Sequence, residues 1–174
     1  MRELRLLLLM LLILTIPLNV YSDNLFVKVG KDFGISPQLL YAIAVVESGV
    51  KPYAIGVKGA RCRDFKEITC YQRGKWVSLY PENYEEAERV LRIILKKDLY
   101  YDLGLMQISR FEIERRGLDP FSLLDYKKNL ELGARILYEK IQKYGYSWEA
   151  VWRYNGRIDY AWKVRAILLP KNPR

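Results

Sequence analysis

The sequence contains no histidine. That absence excludes Ser-His-Asp and Cys-His nucleophilic sites and histidine-ligated metal centres together. There are only two cysteines, too few for a four-cysteine zinc site. The apolar run near the start, Leu6 to Ile16, falls well short of the roughly 20 residues that a bilayer-spanning helix needs. No cysteine stands where a leader would be cut, which argues against a lipoprotein. Internal repeats and low-complexity segments are absent beyond the first residues. What remains for chemistry is mostly carboxylates, tyrosines and amides.

The first residues, MRELRLLLLMLLILTIPLNVYSDN, have a basic start, the apolar run and a polar change after Val20 and Ser22. This is the pattern of a secretory signal over residues 1–22, with a permanent anchor as the alternative. Residues 23–174 suffice for one domain with a real core and leave no room for two. The formal charge of +9 falls to +8 once Arg2, Glu3 and Arg5 are removed. Such a chain favours anionic partners, and export points to the cell envelope, whose peptidoglycan carries carboxylates, before nucleic acid. A basic surface kept only for solubility is the other reading. Cys62 and Cys70 lie close together in an exported chain, so a local disulfide is expected.

Periodicity predicts a mainly helical domain with one inserted β-hairpin. Leu25, Phe26, Val29 and Phe33 mark a short helix ending near Gly34. Ser36-Pro37 is a cap followed by a first-turn proline, and Gly49 a stop, giving a helix from Pro37 to Ser48. KEITCY and KWVSLY, separated by Gln72-Arg73-Gly74, read as a hairpin with the cysteines at its base. Asn83 caps an amphipathic helix whose apolar positions are Ala87, Val90, Leu91, Ile94 and Leu95. After a loop, YYDLG, Ser109 and Glu112 open a helix by a capping-box pattern, stopped at Gly117. A long helix from Tyr126 to Tyr144 follows, with Leu130, Ala134, Leu137 and Ile141 inward; Ser147 starts another that breaks at Asn155-Gly156, and Asp159 starts the last.

Glu47 stands out because it lies four residues after Ile43, seven after Leu40 and eight after Leu39, on the apolar stripe of its helix. Burial and a helix C-terminus both disfavour its charged form, so its pKa should rise toward what a general acid needs. An outward turn or an arginine partner is the alternative. In LGLMQIS, residues 103–109, Gly104 permits close backbone approach, and Gln107 offers a donor and an acceptor to sugar hydroxyls or N-acetyl groups. In WRYNG, residues 152–156, Tyr154 could hydrogen-bond a carboxyl group while Asn155-Gly156 turns the chain. Each of the last two also has an ordinary structural reading.

Taken in order, ESG at Glu47, GLMQI at Gly104 to Ile108, NLELGARIL, and YNG at Tyr154 with a following Tyr160 resemble the lytic transglycosylases of the soluble-lytic-transglycosylase (SLT) domain family. PYAIGVKG after the glutamate and YDLGLMQI after an insertion resemble most the branch associated with type IV secretion, conjugation, pilus and invasion systems. The resemblance covers roughly Leu25 to Val164 and implies a mainly α, lysozyme-like α+β fold. It further implies Glu47 as catalytic acid/base and Tyr154 as the residue that orients it. Gly104, Met106, Gln107, Asn155 and Tyr160 would contact the glycan. Many relatives have a serine where this chain has Gly56, and asparagine where it has Ser109, so those contacts are absent or supplied elsewhere.

The implied reaction cleaves the β-1,4 bond between N-acetylmuramic acid and N-acetylglucosamine without water, closing a 1,6-anhydro ring, with no metal or organic cofactor. One carboxyl group serves both proton transfers, unlike the usual two-carboxylate arrangement. Two readings compete: a hydrolytic muramidase of the same fold, with Asp102 activating water, and a non-catalytic module that grips peptidoglycan and recruits a secretion machine. A monomer is expected, and a nucleic-acid role is disfavoured because the basic residues are scattered. Export predicts that protein recovered from the envelope begins near Asp23, which N-terminal sequencing checks; a protein that retains Met1 would contradict the cut.

Overall fold

The computed structural model describes residues 24–169, so the signal over residues 1–22 lies outside the described residues. The first helix, α1 (Asn24–Phe33), packs on α2 (Pro37–Ser48) and on a long α5 (Tyr126–Tyr144). α2 begins where Ser36 accepts a hydrogen bond from the Leu39 amide, and it ends where Gly49 adopts the left-handed conformation. Leu39, Leu40 and Ile43 on its stripe are buried, as the spacing predicts. α3 (Tyr84–Lys96) is capped by Asn83 and buries Ala87, Val90, Leu91 and Ile94; Leu95, expected inside, is 36% exposed because it lies at the edge of that stripe. α4 (Arg110–Arg115) starts at Ser109, whose hydroxyl accepts from the Glu112 amide, while the Glu112 carboxylate pairs with Arg115 and Arg116. α6 (Trp148–Asn155) and α7 (Ile158–Leu168) complete the helical part.

The β-structure is larger than the predicted hairpin. Five antiparallel strands lie in the order β2-β3-β1-β4-β5, where β1 is Ile55–Lys58, β2 Thr69–Arg73, β3 Trp76–Tyr80, β4 Tyr100–Leu103 and β5 Ile108–Ser109. The segment YYDL, expected as loop, is β4; it pairs with β1 in the register Gly56↔Asp102 and Lys58↔Tyr100. Its alternation is the reason: Tyr101 and Leu103 point into the core and Tyr100 and Asp102 away from it. Four residues are too few for periodicity to separate strand from loop. Alternation extends over the sheet, with Ile55, Val57, Val77, Leu79, Tyr101, Leu103 and Ile108 buried on one face. Cys62 and Cys70 are joined by a disulfide that ties a 3₁₀ turn (Cys62–Asp64) to edge strand β2.

One side chain joins the sheet to α5. Asn129 is wholly buried, accepts from the Met106 amide at 2.8 Å, and donates to the carbonyls of Leu103 at 2.9 Å and Leu123 at 3.2 Å. One turn further along α5, Gly133 leaves room for Met106, whose Cβ and Cγ would lie 2.6 Å from any Cβ at that position. Asn129 and Gly133, four residues apart, thus make one helical face into a seat for the turn between β4 and β5. Asn129→Leu keeps the branched shape but is bulkier and strands three buried backbone groups, and should lower unfolding free energy by about 3 to 5 kcal/mol. Urea denaturation of both proteins measures it.

Candidate active site

The turn from Gly104 to Gln107 is where separated motifs meet. Gly104 has φ 79°, and a Cβ there would lie 2.3 Å from the Asn129 amide nitrogen, so both conformation and space call for glycine. Ser48, directly after the glutamate, brings its Oγ to 2.8 Å from the Leu105 carbonyl and 3.0 Å from that of Ala44. The Tyr154 hydroxyl donates to the Met106 carbonyl at 2.8 Å. Gln107, at φ 46°, donates from Nε2 to the carbonyls of Ala54 and Gly104, both at 2.9 Å. The Gly104 amide also reaches the Ala54 carbonyl at 2.8 Å.

This cluster closes one side of a groove of about 670 Å³ that contains Glu47, Asp102, Gln107, Ser109, Tyr154 and Asn155 among its lining residues. Glu47 arrives from the last turn of α2 and is half-buried, and the Asn155 amide nitrogen donates to its Oε1 at 3.3 Å. Its pKa is raised from 4.5 to about 7, chiefly because burial strips solvent from the charged form. Hydrogen bonding from Tyr160 and Asn155 opposes that rise, and the nearby Asp102 charge adds to it. Asp102 is itself lifted from 3.8 to about 7 by burial. It stands on β4 opposite Gly56, where a Cβ would lie 3.8 Å from Asp102 Oδ2 and 3.1 Å from Gln107 Oε1. Asp102 is therefore a strand residue facing the groove.

Several expected contacts are placed differently. Tyr154 spends its donor on Met106, so it steadies the turn and does not hold Glu47 directly. The residue facing the carboxylate from behind is Tyr160, 3% exposed, whose hydroxyl has no partner of ordinary geometry among the described residues and whose ring stacks on Tyr154 at 6.4 Å. Tyr160 is thus buried beneath the site, outside the surface a glycan could touch. Gly104 and Met106 are likewise buried behind the groove, where their packing against Asn129 and Gly133 puts them. Gln107 does line it, but with both amide protons committed it offers only its carbonyl oxygen. Asn155 lines it and holds Glu47. Asn129 and Gly133 were missed as site-forming residues, although NLELG presents them four residues apart. Lys58, Trp76 and Tyr100, which also line the groove, were missed because nothing local distinguishes them.

Among the described residues, no group of three or more His, Cys, Asp or Glu is placed to hold a metal ion, and no helix is long and apolar enough to cross a membrane. The arrangement puts two carboxyl groups, each with a pKa raised to about 7, and two side-chain amides in one groove.

The family model for the transglycosylase SLT domain matches residues 24–164. The type IV secretion system protein virB1 of Brucella abortus is 31% identical over 103 residues, covering 59% of this chain and 37% of that protein. The invasion protein IagB of Salmonella typhimurium is 32% identical over 142 residues, covering 79% of this chain and 65% of that protein. A peptidoglycan-binding-like protein of Escherichia coli O157:H7 is 27% identical over 170 residues, covering 89% and 82%. The chain thus spans less than two thirds of the length of virB1 and of IagB. No solved structure matches it.

The raised pKa has a consequence for folding. The unfolded chain releases the Glu47 proton near 4.5 and the folded chain near 7, so the folded state binds the extra proton between those values. Stability therefore falls as pH climbs through that window. Glu47→Gln removes the titration, so its melting temperature should exceed that of the unsubstituted protein by more at pH 8 than at pH 5. Paired thermal melts at the two pH values check the sign.

Proposed function

The chain belongs to the transglycosylase SLT domain family, with its lysozyme-like α+β fold, and from that premise we propose that it is a peptidoglycan lytic transglycosylase. The observation that carries the reading is Glu47, half-buried in the groove, held by Asn155 and raised to about 7. At neutral pH a large share of the molecules hold its proton. Glu47 donates that proton to the glycosidic oxygen between N-acetylmuramic acid and N-acetylglucosamine as the bond breaks. The carboxylate left behind takes the proton from the muramoyl C6 hydroxyl, which attacks C1 and closes the 1,6-anhydro ring. The Glu47 proton is restored, and no water enters. The substrate's own N-acetyl oxygen steadies the oxocarbenium-like centre, which makes a second protein nucleophile unnecessary. Tyr154 and Asn129 act at a distance by fixing the turn that carries Gln107.

A hydrolytic muramidase is the second reading, favoured by one observation: Asp102 faces the same groove. Its pKa, raised to about 7 by burial, also suits a general base, so the reaction products and not the electrostatics separate the two readings. The names of the relatives support a place beside a secretion or invasion apparatus; a conjugation or pilus machine, and export to the periplasm or cell envelope, follow from the sequence reading alone. There the enzyme would open the wall locally, as a monomer, without a cofactor or nucleic acid.

Digestion of purified peptidoglycan should give 1,6-anhydromuramoyl ends by mass spectrometry. Glu47→Gln should lower that yield by ~10² to 10⁴-fold or more, because the near-isosteric amide cannot move a proton. Asp102→Asn should cost much less. Reducing-end products heavier by one water, with Asp102 indispensable, would establish the muramidase instead; binding without cleavage by the unsubstituted protein would leave only a recruiting module.

A further inference from the structure

On the face of the sheet turned away from the core, register places three unlike side chains in one row. Lys58 on β1 is the cross-strand partner of Trp76 on β3 and of Tyr100 on β4. Partners in antiparallel strands share a face, so all three side chains project to the same side. The two rings meet edge to face, with centroids 6.0 Å apart and planes at 89°. Trp76 is 36% exposed, Tyr100 is 38% exposed, and Lys58 is exposed between them. The next row on that face carries Gly56 and Asp102, so the aromatic row lies one side-chain repeat, about 7 Å, from the second carboxylate. All three residues line the groove that contains Glu47.

Charge sets this row apart. Of the groove's other cations, Arg157 is engaged by Asp159 and Lys140 stands on α5, so Lys58 is the one that the sheet register sets in a row with two aromatic rings. Lys58 forms no ion pair among the described residues, although charged groups are plentiful nearby. An exposed aromatic pair with an ammonium in the same row that forms no ion pair among the described residues matches a ligand that has an apolar ring face and an anionic substituent on the same unit. A carboxylated sugar of a β-1,4 glycan has that form.

We propose that Trp76, Lys58 and Tyr100 form an extended subsite that selects carboxylate-bearing glycan units, with the sugar face packed on the rings and the carboxylate on Lys58. This rests on the glycan reading of the Glu47 groove and adds to it a preference for anionic over neutral strands. The carboxylate comes either from the lactyl group of a peptide-free muramoyl unit or from the stem peptide of a substituted one, and the chemistry at Lys58 is shared.

The test is equilibrium binding by the full Glu47→Gln protein, which holds ligand without turning it over. Three probes of equal length are compared: chitohexaose, amidase-stripped peptidoglycan hexasaccharide with free lactyl carboxylates, and the same strand with stem peptides. At least one anionic probe should bind about 3- to 5-fold tighter than chitohexaose, the scale of one partly exposed ion pair, and the gap should shrink with salt. Whichever anionic probe gains identifies the carboxylate. Adding Lys58→Met, which keeps the apolar stem, should erase the gap, whereas Trp76→Ala should weaken all three probes. Equal binding of the three, a gap that survives Lys58→Met, or no binding at all would overturn the subsite. A lyase reading that failed, with hydrolytic products from the Glu47 protein, would leave these affinities as they are, so the two failures are separable.

Discussion

The site depends on satisfying the backbone of one buried turn. Between Leu103 and Gln107 the chain reverses inside the protein, where an unpaired carbonyl or amide costs about as much as a lost hydrogen bond or more. The partners come from distant places: Asn129 for the Leu103 carbonyl and the Met106 amide, Ser48 for the Leu105 carbonyl, Tyr154 for the Met106 carbonyl, and Gln107 for that of Gly104. α2, α5 and α6 each contribute one side chain. Satisfying the turn therefore fixes where those helices stand relative to the sheet, and with them Glu47, one residue before Ser48.

The same assembly explains the electrostatics. Glu47 sits at the C-terminal end of a helix whose stripe is apolar, so nothing on α2 itself rewards its charge. The compensation is limited to the Asn155 amide, the Tyr160 hydroxyl beneath and a weak contribution from Lys163. Desolvation outweighs these, and the proton is held to about 7. A closer cation would have stabilised the carboxylate and spoiled the acid. Among the described residues Glu47 forms no ion pair: Arg157 and Lys163 are engaged by Asp159, and Arg115 and Arg116 by Glu112 and Glu139.

The sheet divides its two faces between stability and recognition. Its inner residues join the helices in a common core, while its outer residues line the groove that contains Glu47. The disulfide holds edge strand β2 to the 3₁₀ turn before it, which steadies the strand next to Trp76. Because strand alternation has a period of two, the register that buries Val57 and Tyr101 also puts Lys58, Tyr100 and Asp102 toward the groove.

What the sequence determined by itself is the set of local choices. Caps, first-turn proline, stop glycines and 3.6-residue stripes locate α1 to α7 to within a residue or two, because those signals act over a single turn of chain. Glu47 was visible for the same reason, as a carboxylate on an apolar stripe, and so were Gln107 and Asn155 as polar groups at turns. Only tertiary structure decided that YYDL is a strand, that Tyr154 serves the turn while Tyr160 faces the acid, and that Gly104 and Met106 lie behind the groove. Those outcomes turn on which donors meet which acceptors across tens of residues. Asn129 shows the difference most plainly: in the sequence it is one polar residue near a helix start, and its three bonds exist only once α5 lies against the turn.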